Sequence, residues 1–236
     1  LTSEIQRSKY SKIFVLGRNF SRVDQLFERR DHKTQQLGQQ EITKLPCDIT
    51  QLDEIGETLQ KIEDEHINDF VLTIGTFHRG MIADIMPGVA AENEGSRIQD
   101  DVVADHFHLN CISTIHLIRL IVAKLVKGNS QILVCTASLS IVARSPYSLQ
   151  SATKAALRSF VDTLRIELKG KTRVMNLMPP SVDTKIFAKA GDCRKTDGYP
   201  PPSRIANAMQ YMLDAPPDIC IPEMLIEQHH FDVDFG

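Results

Sequence analysis

Three short segments of this 236-residue chain carry the residue types that chemistry at a sheet edge requires. The first is Gln150-Ser151-Ala152-Thr153-Lys154-Ala155-Ala156-Leu157. Its small residues let a ligand or a second helix come close, and Lys154 sits among them in a stretch otherwise low in charge; the alternative is an ordinary solvated lysine. The second is Thr136-Ala137-Ser138, and the third is Pro179-Pro180-Ser181-Val182-Asp183-Thr184; each directly follows an apolar run. Arg18, in Gly17-Arg18-Asn19, also comes just after such a run, where a guanidinium can clamp a phosphate bidentately or stand exposed with no role. Asp48 can accept hydrogen bonds from an adenine or cap a helix beginning near Leu52. His106, His108 and Cys111 have no carboxylate partner at metal spacing and read as decoration of a helix, and His229-His230 reads as surface.

Segments so far apart converge only if strands and helices alternate between them. The continuously apolar runs 12–16, 70–74, 131–135 and 173–178 have the pattern of strands buried on both faces, with weaker strands ending near 44–46 and at 224–226. Between them, residues 21–30, 51–65, 107–126, 151–168 and 203–213 carry helical signals, the last opening after three prolines. Residues 86–97 and 188–202 read as surface loops. The alternation predicts one α/β domain over residues 1–236, a doubly wound parallel sheet in three layers, with ligands bound beyond the carboxyl ends of the strands.

Composition narrows the classes of function. Apolar residues make up 42% of the chain and charged residues 24%, which excludes a disordered, collagen-like or disulfide-stapled chain. A net charge of −3 offers no general attraction for nucleic acid or anionic lipid, so neither is an expected partner; Arg29-Arg30 beside Lys33 reads as a solvated helix end. Five scattered cysteines without a CxxC pair fit a reducing compartment. With no apolar run near the roughly 20 residues of a membrane helix, the cytoplasm is the expected location.

Taken in order, these segments resemble the short-chain dehydrogenase/reductase family over nearly the whole chain. Gly17-Arg18 is similar to the second-strand ending that prefers NADP over NAD through its 2′-phosphate, and Asp48 to the aspartate that holds adenine. Asn110, in His108-Leu109-Asn110-Cys111, is similar to the asparagine that kinks the fourth helix and joins a proton relay. Residues 150–157 resemble the YxxxK helix, whose lysine, here Lys154, anchors the ribose. Pro179, Val182 and Thr184 match the PGxVxT turn that faces the nicotinamide and pyrophosphate, and Gly75 matches the glycine of the NNAG stretch. The resemblance implies a Rossmann-like domain, an NADP cofactor, hydride transfer to or from a small carbonyl or secondary alcohol, and a homodimer or homotetramer.

The departures bear on activity. Gln150 stands where the family's catalytic tyrosine falls, and an amide cannot deliver a proton near neutral pH. Ala137 takes the position of the catalytic serine, although Thr136 and Ser138 flank it and a one-residue slip restores a hydroxyl. Tyr147 shares a helix face with Lys154 but lies roughly 10 Å along the axis, and reads as packing. Both asparagines of NNAG are lost in Leu72-Thr73-Ile74-Gly75. The first strand and its TGxxxGxG loop have no counterpart in residues 1–12, so further residues are expected upstream of Leu1, and without them the sheet should show a gap lined by apolar side chains. Pyrophosphate binding would depend on that loop. The expectation is an impaired oxidoreductase. The alternatives are a pseudoenzyme that senses a nucleotide or binds a partner, and lyase or isomerase chemistry with His78 as base.

Overall fold

The structure, a computed structural model, describes residues 10–28, 41–80, 98 and 100–229. Six strands are described: β1 (Lys12–Gly17), β2 (Glu41–Pro46), β3 (Asp69–Leu72), β4 (Gln131–Cys135), β5 (Arg173–Met178) and β6 (Glu223–Leu225). All pair in parallel, with Phe14 beside Thr43, Val71 beside Leu133, Leu133 beside Met175 and Leu177 beside Met224. Helices α1 (Ser21–Glu28), α2 (Leu52–Gln60), α3 (Asp100–Phe107), α4 (Thr114–Val122), α5 (Ser148–Glu167), α6 (Ile186–Lys189) and α7 (Pro202–Leu213) fill the connections. The result is the Rossmann-like α/β arrangement that the alternation of patterns predicts.

Strands β4 and β5 explain why continuous apolar runs mark the middle of such a sheet. Ile132, Val134 and Val174 pack with Ile55 and Leu59 of α2, Ile118 and Ile121 of α4, and Leu157 and Val161 of α5. The alternate residues Leu133, Met175 and Leu177 face the other way, against Ile205, Met209 and Met212 of α7. Burying each such side chain contributes about 1.5–3 kcal/mol, so both faces of these strands must be apolar.

The sheet is broken between β1 and β3. Among the described residues β1 pairs with β2 alone, and β3 opens the four-stranded group β3-β4-β5-β6. Residues of β1 and β3 are therefore mostly half-buried, which corrects the expectation that their runs are covered on both faces. Phe14, Leu16, Phe70 and Ile74 pack, partly buried, against the first core. Polar contacts span the break, with the Tyr10 hydroxyl donating to Asp69 and Lys12 paired with Glu65.

Several helix boundaries differ from the sequence pattern for local reasons. The apolar stretch 107–126 is not one helix but α3, a wide π-helical turn at His108–Ser113, and α4. Helix α3 begins at Asp100, where Asp100 and Asp101 suit a helix N-terminus but hide it from an apolar count. Helix α2 ends at Gln60 and has no side-chain cap; the Asp48 carboxylate instead accepts from the backbone N–H and hydroxyl of Thr50. Helix α5 starts at Ser148, α7 at Pro202, and α6 interrupts the predicted loop 188–202. The predicted loop 86–97, Arg29, Arg30, Lys33 and His230 lie outside the described residues. Among the described residues no helix is long and apolar enough to cross a membrane.

Candidate functional site

Helix α5 turns one stripe inward: Gln150, Thr153, Lys154, Leu157, Val161 and Leu164 are all buried. Its C-terminal part meets the core, and its N-terminal polar part meets a cleft at the carboxyl ends of β3, β4 and β5. The cleft encloses about 450 Å³. Lys154 is only 4% exposed and lines it. No carboxylate among the described residues pairs with the ammonium. Burial pushes the Lys154 pKa below that of an ordinary lysine, against a weaker opposing pull from the Cys135 and Cys111 thiols. An uncompensated buried charge costs on the order of several kcal/mol, so the position invites a ligand.

Gly75, just beyond β3, makes room for that ammonium. A Cβ there would stand 2.9 Å from Lys154 Nζ and 3.3 Å from Asn110 Oδ1, so close approach requires the glycine. Asn110 is fully buried in the π-helical turn. Its Oδ1 accepts from Thr76 N–H at 2.8 Å, while Nδ2 donates to Thr76 O at 3.3 Å and Thr153 Oγ1 at 3.2 Å. The π turn thus places an amide that ties α5 to the segment after β3, next to the lysine.

Gln150 also lines the cleft, and its Oε1 lies 3.1 Å from His106 Nε2. Burial pushes the His106 pKa down to about 4, so the imidazole is neutral, and the carbonyl oxygen of Gln150 requires the proton to sit on Nε2. His106 is therefore not the helix decoration that its sequence neighbourhood implied. The available clue was its spacing of four from Asn110. His108 does stay peripheral, with Nε2 2.9 Å from Thr50 O. His78 does not line the cleft, and its buried Nε2 has no hydrogen-bond partner.

Thr136, Ala137 and Ser138 line the cleft together with Pro179, Val182 and Thr184. Thr136 Oγ1 is committed to Asn176 Oδ1 at 2.8 Å, while Ser138 is fixed by its backbone N–H to Pro179 O at 2.9 Å. Arg18 and Asp48 follow the carboxyl ends of β1 and β2, outside the cleft. Their side chains pair at 3.2 Å. The Thr50 N–H and hydroxyl, and then Arg18, hold Asp48 below the usual carboxylate range.

The far wall joins Tyr147, which reads from the sequence as packing, to a loop that no sequence pattern connects with it. Tyr147 stands at the N-terminal end of α5, its ring 5.8 Å from Phe77, and the Arg194 guanidinium lies 5.5 Å from the Tyr147 ring and 4.5 Å from that of Phe187. Arg194 pairs with Asp192. No periodicity in the 188–202 segment signals these contacts.

A family profile described as short chain dehydrogenase matches residues 8–195. An uncharacterised oxidoreductase of Staphylococcus aureus (strain MW2) is 26% identical over 223 residues, 92% of this chain and 86% of that protein. The uncharacterised oxidoreductase DltE of Bacillus subtilis (strain 168) is 36% identical over 93 residues, 39% of this chain and 37% of its own. Among solved structures, an alcohol dehydrogenase from the archaeon Thermococcus sibiricus, complexed with 5-hydroxy-NADP, superposes with a TM-score of 0.75 at 17% identity, covering 96% of this chain and 93% of its own.

Proposed function

The chain belongs to the short-chain dehydrogenase family, and from that membership we propose that it binds NADP(H) in this cleft while its oxidoreductase turnover is strongly reduced. The residues present fit the nicotinamide-ribose end of such a group: the glycine cradle at Gly75 and the unpaired, buried Lys154 ammonium leave space and charge for a polar ligand. When bound, NADP(H) would supply or accept a hydride. Lys154 would hold the ribose hydroxyls, and Pro179, Val182 and Thr184 would flank the nicotinamide and pyrophosphate. Arg18 would favour the 2′-phosphate, and with it NADP over NAD, while Asp48 would receive the adenine.

The observation that carries the reading is Gln150, an amide locked to a neutral imidazole where an acidic hydroxyl is needed. It can hydrogen-bond a carbonyl oxygen but has no proton to give. Ala137 removes the second hydroxyl, although Ser138 and Thr136 remain nearby. General acid catalysis supplies about two to four orders of magnitude, which is the deficit proposed here. A small carbonyl or secondary alcohol is the proposed substrate. Exposed Ile112 on the π-helical turn and Ile166 on α5 favour a homodimer or homotetramer through these helices.

The test is an NADPH fluorescence titration, run beside an NADH titration and followed by absorbance at 340 nm over a panel of carbonyls. Saturation with NADPH, and oxidation at least a hundredfold slower than an ordinary reductase, supports the proposal. Saturation with no oxidation at all favours the nucleotide-sensing scaffold. Failure to bind either nucleotide overturns both and leaves a partner-binding role.

A further inference from the structure

Building on that assignment of the cleft, we infer that its substrate carries a carboxylate, received by the Tyr147 phenol and the Gln150 amide beside the Lys154 ammonium. The inference comes from which hydrogen-bonding groups are already spent. The Arg194 guanidinium lies 5.5 Å from the Tyr147 ring and, like every arginine, has only donors, so it cannot take up the phenolic O–H, which remains a donor toward the cleft. The Gln150 carbonyl oxygen is occupied by His106, so its NH₂ remains to donate. Lys154 offers N–H donors alone. All three residues line the same cleft.

Charge points the same way. The guanidinium of Arg194 is neutralised by Asp192, which does not line the cleft. Among the described residues Glu227 is the one carboxylate in the cleft lining, and it is exposed to solvent. Among the described residues the Lys154 ammonium has no counter-ion, and Tyr147 and Gln150 line the cleft with it. A neutral ketone would satisfy one donor and none of the charge, whereas a carboxylate supplies two acceptor oxygens and the missing negative charge. The rings of Phe77 and Phe187, in edge contact at 4.9 Å, leave the remainder of the ligand an apolar flank.

The probes are acetoacetate and its methyl ester, titrated by ligand-observed NMR against the full chain with and without NADPH. Acetoacetate is expected to bind at least tenfold more tightly than the ester. Tyr147→Phe, which removes one oxygen and keeps the ring packing, is expected to erase most of that preference at an unchanged melting temperature. Tyr211→Phe, at an exposed phenol on α7, should leave it intact. Equal affinities for acid and ester overturn the inference, as does a full preference in Tyr147→Phe or tighter binding of inorganic phosphate than of acetoacetate. NADPH binding without acid preference defeats this inference alone. Acid preference without NADPH binding supports it and defeats the nucleotide assignment on which it was built.

Discussion

Replacing Gly75 with alanine separates the site from the fold more cleanly than any change to the lysine itself. The added methyl would sit 2.9 Å from Lys154 Nζ, where ordinary contact begins near 3.4 Å, so the ammonium must retreat by about half an ångström. Asn110 Oδ1, at 3.3 Å, has only to yield slightly. Gly75 is not among the glycines with positive φ, so alanine introduces no backbone strain and gains about 0.4–1 kcal/mol by restricting the unfolded chain. The moving atom is the far end of a flexible side chain, which keeps the steric cost small. Thermal stability is therefore expected to stay within about 1 kcal/mol of the parent.

Ligand affinity should respond differently. A hydrogen bond to a charged donor is worth about 1.5–3 kcal/mol, and displacing the ammonium from a ribose hydroxyl forfeits much of it. Since about 1.4 kcal/mol is a factor of ten, the NADPH dissociation constant is expected to rise roughly tenfold. Fluorescence titration and a melting curve on the same sample read both quantities. An unchanged NADPH affinity in a normally melting Gly75→Ala protein would refute the placement of the nucleotide sugar beside Lys154. A large loss of stability would instead show that the glycine serves packing.

Three further outcomes follow from the same geometry. Restoring both hydroxyls with Gln150→Tyr and Ala137→Ser should raise NADPH-dependent carbonyl reduction by about 10²-fold or more, read at 340 nm; no gain with nucleotide still bound would mean that the substrate pocket has diverged too. Lys154→Met should abolish nucleotide binding yet leave stability to urea equal or higher, because it removes a buried ammonium that has no counter-ion among the described residues. His106 is held neutral with its pKa down at about 4, whereas in the unfolded chain it titrates near 6.5. As pH falls through that window the unfolded state takes up a proton the folded state refuses, so stability should drop by about 3 kcal/mol between pH 7 and pH 4. Urea denaturation at the two pH values should show a shallower drop in His106→Asn.

What the sequence reveals here depends on whether a residue's environment repeats with the period of its own element. Strands β4 and β5 were legible because both faces meet apolar layers, so every residue carries the signal. Lys154 was legible for a different reason: it is a charge among small residues in a stretch otherwise low in charge, and that stretch resembles the YxxxK helix. His106 lies four residues before Asn110 on a stretch that packs against α5. Yet a histidine among aspartates looks like an exposed helix turn until its neighbour across the fold is known. Strands β1 and β3 misled because an apolar run does not report whether a partner strand lies alongside. The contact between Tyr147 and Arg194 left no trace, for it joins a helix end to an aperiodic loop. In the fold, Lys154 and His106 are both polar side chains on buried helical faces. Polar side chains on such faces, rather than conspicuous clusters such as His229-His230, mark where this kind of chain does its chemistry.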